Sequence, residues 1–339
     1  MTSPDFWLAA SSLAGRVHFP ALRALLSRPG GAPRSASLLQ AGLSPAQAQL
    51  LSQPPPAQTS QSMLTMLDPG WPQALENAPK APAVLFYRGD PSLLLAPAVA
   101  IVGSRRCSPT GTRMAQRLAR TVADRGGVVV SGLAYGIDEA AHLAAPSRTI
   151  AVLGQGLEQA LTHRQSQVQA RILDQGGLVL SELPPASPAT RWTFPQRNRI
   201  IAGLAQVTIV VEAARNSGAL ITARQAMDMG REVLAVPGSP LEPMSEGCLD
   251  LISAGAGMAR DEKDLAAFLP RPAKERAAAS GPQLPEAALR LLQRGADVET
   301  LANALGWPTH QASGLLTALE LTGQVQRLPG ERFALRDDG

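Results

Sequence analysis

Six short runs rich in β-branched residues recur between residues 98 and 269, each separated from the next by a stretch with helical spacing. The runs are Val99–Val102, Val128–Val130, Ile150–Leu153, Leu178–Leu180, Val207–Val211 and Val233–Val236. They are apolar at consecutive positions, as in strands of a parallel sheet buried on both faces. Between them, residues 110–125 place Met114, Leu118 and Val122 four apart, and Gly126 follows as a stop. This alternation predicts a doubly wound α/β parallel sheet. Ligands of such sheets bind beyond the carboxyl ends of the strands, so the residues after each run carry the functional expectation.

The flanks read differently. Residues 1–60 hold short apolar clusters, among them Trp7-Leu8, Leu25-Leu26, Leu38-Leu39 and Leu50-Leu51. Gly30-Gly31 and Gly42 separate them and Pro54-Pro55-Pro56 closes the segment, which predicts a small helical domain. Residues 61–97 form a connector to the sheet domain at 98–269, with a strand at Val84–Tyr87. Residues 270–282 are a Pro- and Ala-rich linker. Residues 283–336 then show helices at Glu286–Leu292, Val298–Leu305 and His310–Leu321, followed by a hairpin of Val325–Leu328 and Arg332–Leu335 across Pro329-Gly330. That is the winged-helix order.

Charge and composition narrow the function. The net charge is +4, and Lys occurs only at 80, 263 and 274, so the positive charge is almost all Arg. Arg is the residue of planar, bidentate phosphate contacts. Cys107 and Cys248 lie far apart, and His18, His142, His163 and His310 have no ligand spacing, so neither a metal nor a disulfide framework is expected. No basic-then-apolar leader and no run of about 18 apolar residues is present, which points to the cytoplasm and away from membranes.

Gly103-Ser104-Arg105 directly follows the first strand: a glycine for close approach, a hydroxyl and a cation beside the start of a helix near Pro109. Ser131-Gly132-Leu133-Ala134-Tyr135-Gly136-Ile137-Asp138 follows the second strand, with Asp138 read as stabilising a helix start. Gly154-Gln155-Gly156 follows the third strand, and position 159 is Gln, so the dinucleotide fingerprint GxGxxG is missing. No GxxxxGK[ST] occurs either, and no cofactor is expected. Arg191 and the block Phe194-Pro195-Gln196-Arg197-Asn198-Arg199 follow the fourth strand, joining arginines to an aromatic face that suits a single nucleic-acid strand. Glu212 ends the fifth strand and reads either as catalytic or as a group that holds these arginines.

In order along the chain, these motifs, Ser217–Ala223, Val236-Pro237-Gly238 and Gly247–Ile252 resemble the DNA-processing protein A family (DprA, also called Smf) over about residues 80–265. The resemblance implies an extended Rossmann-like domain, a sterile-alpha-motif-like helical unit at the N-terminus and a C-terminal winged helix. It also implies a non-enzymatic homodimer that binds and protects incoming single-stranded DNA and helps load RecA recombinase in natural transformation. Carried over by motif, Arg105 holds a phosphate with help from Gly103, Ser104 and Gly132. Arg191 and Phe194 share that pocket, Asn198 and Arg199 shape the loop, and Arg197 belongs to the same DNA-binding set. Three departures stand out. Tyr135 occupies a position where many members carry a basic residue. Leu161-Thr162-His163-Arg164-Gln165 replaces a Tyr-Pro-x-x-Asn segment, and the N-terminal unit lacks a Gly-x-Gly hairpin.

Glycine-rich strand ends also occur in Rossmann-like nucleotide phosphoribohydrolases. Their Pro-Gly-Gly-x-Gly-Thr-x-x-Glu stretch is absent here, since Glu212 precedes the Ser217-Gly218 block. In the winged helix, His310–Leu321 carries only Glu320 as a charged residue, which favours protein contact or structural support over reading of duplex DNA.

Overall fold

In a computed structural model of the full chain, residues 6–7, 9–10, 23, 44–51, 63–76, 78–270, 285–321 and 325–335 are described. The chain divides into two compact units, Met1–Pro270 and Arg271–Gly339. All of the expected linker at 270–282 except Pro270, and most of residues 1–60, lie outside the described residues.

The apolar runs become the strands β3 (Ala98–Val102), β4 (Val128–Ser131), β5 (Thr149–Val152), β6 (Leu178–Ser181), β7 (Val207–Val210) and β8 (Glu232–Ala235). Alternate residues of one strand serve two cores. Ala98, Ala100 and Val102 face one side, and Val99 and Ile101 face the other. Both faces are covered, so these positions are apolar apart from hydrogen-bonded or small polar residues such as Ser131, Thr149 and Thr208. The helices α2 (Pro109–Asp124) and α3 (Ile137–Ala144) cover one face through Ala115, Leu118, Ile137 and Ala141. The opposite face is covered by α4 (His163–Asp174), α5 (Thr193–Leu204), α6 (Gly218–Asp228) and α7 (Glu246–Ser253), through Ile172, Ile200, Ala223 and Leu251. A short helix α1 (Pro45–Leu51) adds Ala48 and Leu51 to that second core.

The sheet is larger than the apolar runs indicate, and it is not parallel throughout. Its order is β1-β2-β6-β5-β4-β3-β7-β8-β9, where β1 is Met63–Thr65, β2 is Val84–Gly89 and β9 is Gly257–Met258. From β6 to β9 every pair is parallel, while β2 runs antiparallel to β6 and β1 antiparallel to β2. Thus two strands from the segment read as a connector extend the sheet. β1 and β9 are only three and two residues long, too short to show a period.

The order fixes where a ligand site can form. From β3 the chain steps one way through β4, β5 and β6, then returns to place β7 on the other side of β3. The carboxyl ends of β3 and β7 therefore flank the switch point of the sheet. The connection from β6 to β7 is α5, which lies across β5, β4 and β3.

In the second unit, α8 (Glu286–Arg294), α9 (Val298–Leu305) and α10 (Thr309–Leu321) pack with the hairpin β10 (Val325–Leu328) and β11 (Arg332–Leu335). Asp297 caps α9 by accepting from Thr300 N at 2.7 Å, and Gly306 ends that helix in the left-handed region. Leu292, Leu301, Leu316, Leu319 and Phe333 form the core of this unit, a winged helix.

Candidate nucleic-acid interface

The switch point opens into a cavity of about 570 Å³. The loop after β3 makes one wall. Gly103 is required there, because a Cβ would stand 2.7 Å from the Ile137 side chain and 3.0 Å from the Glu212 carbonyl. Ser104 is fixed through its backbone: its N–H donates to the Glu212 carbonyl at 2.7 Å, and its carbonyl accepts from Ile137 N at 3.2 Å. Its hydroxyl accepts from Arg106 N at 3.1 Å. That tight turn directs Arg105 and Arg106 outward, both exposed and both lining the cavity.

The wall on the α5 side comes from Arg191, Phe194 and Asn198. The block read as a loop before a helix is itself the first half of that helix, since α5 begins at Thr193. Pro195 is tolerated because the first turn needs no backbone donor there. The Phe194 ring packs over Gly154, where a Cβ would come within 2.9 Å of the ring, yet it remains 38% exposed. Asn198 accepts from Arg197 Nε at 3.2 Å and donates to the Gly218 carbonyl at 3.5 Å.

Against the expectation of DNA contact, Arg197 lines the cavity but is buried, and Arg199 lies outside the lining with its side chain largely covered. Arg197 is 7% exposed and donates to the carbonyls of Gly132, at 2.8 Å, and Val152. Arg199 makes an ion pair with Glu182 at 2.8 Å and donates to the Lys80 carbonyl at 3.0 Å. The cause is the crossing path of α5, whose side chains must end among the strand ends below it. Gly132 changes its meaning for the same reason. Its carbonyl is taken by Arg197 and its N–H donates to Asp138 at 3.1 Å, and an added Cβ would lie 2.7 Å from the Arg197 guanidinium. The glycine clears room for a protein cation.

Beneath the cavity lies a buried polar cluster. Burial pushes the Asp138 carboxyl up, against the pull of Arg197 and of the Ala134 and Gly132 amides. Burial also lowers the Arg197 guanidinium to about 10, opposed by Asp138 and aided by the charge of Arg105. His142, fully buried, is pushed down to about 3 by burial and then by Arg197, and its ring bonds Leu133 N at 3.3 Å and Thr149 Oγ1 at 2.7 Å. These groups tie the ends of β4 and β5 to α3 and α5.

Glu212 does not reach the arginines. Its carboxylate accepts from Ser108 N at 2.8 Å and Ser108 Oγ at 2.5 Å, closing the start of α2. Gly111 leaves the necessary space, since a Cβ would stand 2.4 Å from that carboxylate. Tyr135 and the 161–165 segment, two departures from the family pattern, meet each other. The Tyr135 hydroxyl donates to Thr162 Oγ1 at 2.8 Å, and the Arg164 guanidinium lies 5.6 Å from the Tyr135 ring centre while bonded to Glu139 at 2.8 Å.

Two residues to which the sequence reading gives no role lie at this surface or next in the chain to it. Arg106 shares the cavity wall, and the Arg105-Arg106 doublet after a strand was its signal. Trp192 is 63% exposed, with the Arg191 guanidinium 4.6 Å from its ring centre. Among the described residues no helix is long and apolar enough to cross a membrane.

The family model described as DNA recombination-mediator protein A matches residues 62–270, and the DprA winged helix domain matches residues 272–331. The chain is 43% identical over 206 residues to the DNA processing protein DprA of Streptococcus pneumoniae, covering 60% of this chain and 72% of that protein. It is 38% identical over 271 residues to the protein Smf of Escherichia coli, covering 75% and 72%. The X-ray structure of the Streptococcus pneumoniae protein aligns with a TM-score of 0.65 at 34% identity, over 79% of this chain and 98% of that one. DNA processing protein A of Helicobacter pylori, whose structure concerns a single-stranded DNA binding mode, aligns with a TM-score of 0.56 at 29% identity, over 60% and 94%.

Proposed function

This chain belongs to the DNA recombination-mediator protein A family, and on that premise we propose that it binds single-stranded DNA along the strand ends at the switch point, as a non-enzymatic DNA-processing protein of natural transformation. One observation carries the reading. Arg105 and Arg191, on two separate loops, are exposed at one cavity and have no carboxylate partner among the described residues, and Phe194 stands with them. Cations without acids attract phosphates, and a neighbouring aromatic face accepts a base whatever its identity. Contact falls to Arg105, Arg106, Arg191, Phe194 and Asn198, with Gly103 and Ser104 shaping the wall. Arg197, Arg199 and Gly132 hold that wall from behind.

The same reading has the protein act in the cytoplasm as a homodimer, protect incoming DNA and help load RecA recombinase. Its parts are a helical unit at 1–60, a connector at 61–97, the DNA-binding sheet domain at 98–269, a linker at 270–282 and a winged helix at 283–336. The exposed face of α10 carries His310, Gln311, Ser313, Thr317 and Glu320, with no Arg or Lys. This supports protein contact rather than duplex reading for that unit.

Mobility shifts with oligo-dT and with a duplex of equal length test the proposal. The single strand is expected to shift at lower protein concentration, and Arg105→Ala is expected to weaken that shift. Equal affinity for both nucleic acids, or an unaffected Arg105→Ala, would refute it.

A further inference from the structure

Trp192 sits at the edge of the cavity between two residues that line it, Arg191 and Phe194. An exposed indole is unusual in a chain that buries Trp7 and Trp71 to 2% and 4% exposure, whereas Trp192 remains 63% exposed. A large aromatic side chain left in water forgoes most of its favourable burial, so its exposure asks for a reason. The ring is not bare on both sides: the Arg191 guanidinium lies 4.6 Å from its centre. A cation over a ring face is held by the ring's negative face and needs no N–H hydrogen bond. This leaves the N–H donors, which lie in the guanidinium plane, available for an anion. Arg191 has no carboxylate partner among the described residues to take them up. The pair therefore offers a planar aromatic surface and an oriented set of phosphate donors, the two features that distinguish one nucleotide unit.

We propose that Arg191 and Trp192 together form a nucleotide subsite at the edge of the cavity, in which Trp192 stacks a base of the single strand and the in-plane N–H groups of Arg191 bind an adjacent phosphate. This subsite rests on the single-strand reading above and extends the binding path beyond Phe194. The two aromatic residues then have separate tasks. Phe194, packed on Gly154, serves the strand inside the cavity, and Trp192 serves the next base outside it. Trp192 carries no charge, so its loss should weaken binding without changing its salt dependence.

The test uses the full chain, with two readouts on the same samples: anisotropy of labelled oligo-dT, and intrinsic tryptophan emission on titration with unlabelled oligo-dT. In the unmodified chain, oligo-dT should quench tryptophan emission. Trp192→Phe should keep affinity within about threefold, since a smaller ring still stacks, and should lose the quenching. Trp192→Ala should weaken binding roughly 5- to 100-fold with an unchanged salt slope. The side chain is exposed, so both variants should retain the unmodified melting temperature. Normal affinity in Trp192→Ala, or quenching that persists in Trp192→Phe, would overturn the subsite while leaving the cavity's binding role intact. Absence of oligo-dT binding by the unmodified chain would overturn both.

Discussion

The rim and the floor of the strand-end cavity are both built with arginine, and the two sets face opposite ways. On the rim, Arg105, Arg106 and Arg191 are exposed and have no carboxylate partner among the described residues. On the floor, Arg197 is bound to two backbone carbonyls, and beyond the cavity lining Arg199 is paired with Glu182. Only five residues lie between Arg191 and Arg197, yet one is exposed and the other donates to the carbonyls of Gly132 and Val152. A cation held by buried carbonyls has little left to offer a phosphate. A cation stacked only on an indole has nearly all its donors free. Residue type thus sets what an arginine can do, and the path of the backbone under it decides which partner it meets.

That contrast can be broken by exchanging the two outcomes. Arg197→Ala should cost the most, because it strips two buried carbonyls of their donor and leaves Asp138 without a neighbouring cation. Losing one member of a buried charged cluster costs about 3–5 kcal/mol, to be measured by urea denaturation of the far-UV signal. A loss under about 1 kcal/mol would move Arg197 out of the scaffold. The double variant Arg105→Ala with Arg191→Ala should do the reverse. Its denaturation midpoint should match the unmodified chain, while affinity for oligo-dT at moderate salt drops roughly 10- to 100-fold, two charge-assisted contacts being worth a few kcal/mol at most.

The floor should also show itself in pH dependence. His142 is held neutral in the folded chain, its pKa lowered to about 3, while an unfolded chain takes up that proton near 6.5. Between those values the unfolded state binds more protons, so stability falls as pH drops. The loss from this group should be about 1.6 kcal/mol between pH 6.5 and 5, and His142→Gln should flatten that interval. Near-equal slopes in the two proteins would show that the imidazole protonates in place. The smallest effect belongs to Ser108→Ala, which removes the cap of α2 and a partner of Glu212. It should cost about 1 kcal/mol by thermal melting and leave oligo-dT affinity alone.

The fold was legible where burial imposes a pattern. Strands sealed on both faces read as continuous Val and Ile runs, and the central sheet follows from them. β1 and β9 escaped because a strand of two or three residues has no period, and their place comes from neighbours that supply the hydrogen bonds. The site was legible in residue type and in loop position: Gly103-Ser104-Arg105 and Phe194 are at the cavity. It was not legible in orientation. Nothing in the order Arg197-Asn198-Arg199 tells that α5 will cross three strands and thrust Arg197 under Gly132. Glu212 was misjudged for a related reason, since its carboxylate meets Ser108 only after α2 folds back against the end of β7.

Salt dependence addresses the division between rim and floor most directly. The slope of log K against log salt for oligo-dT counts the phosphates neutralised, at about 0.7 per contact on a single strand. Measured side by side, the Arg105→Ala, Arg191→Ala double variant should have a slope shallower by about 1.4 than the unmodified chain. An unchanged slope, with binding intact, would place the phosphates elsewhere and contradict the account.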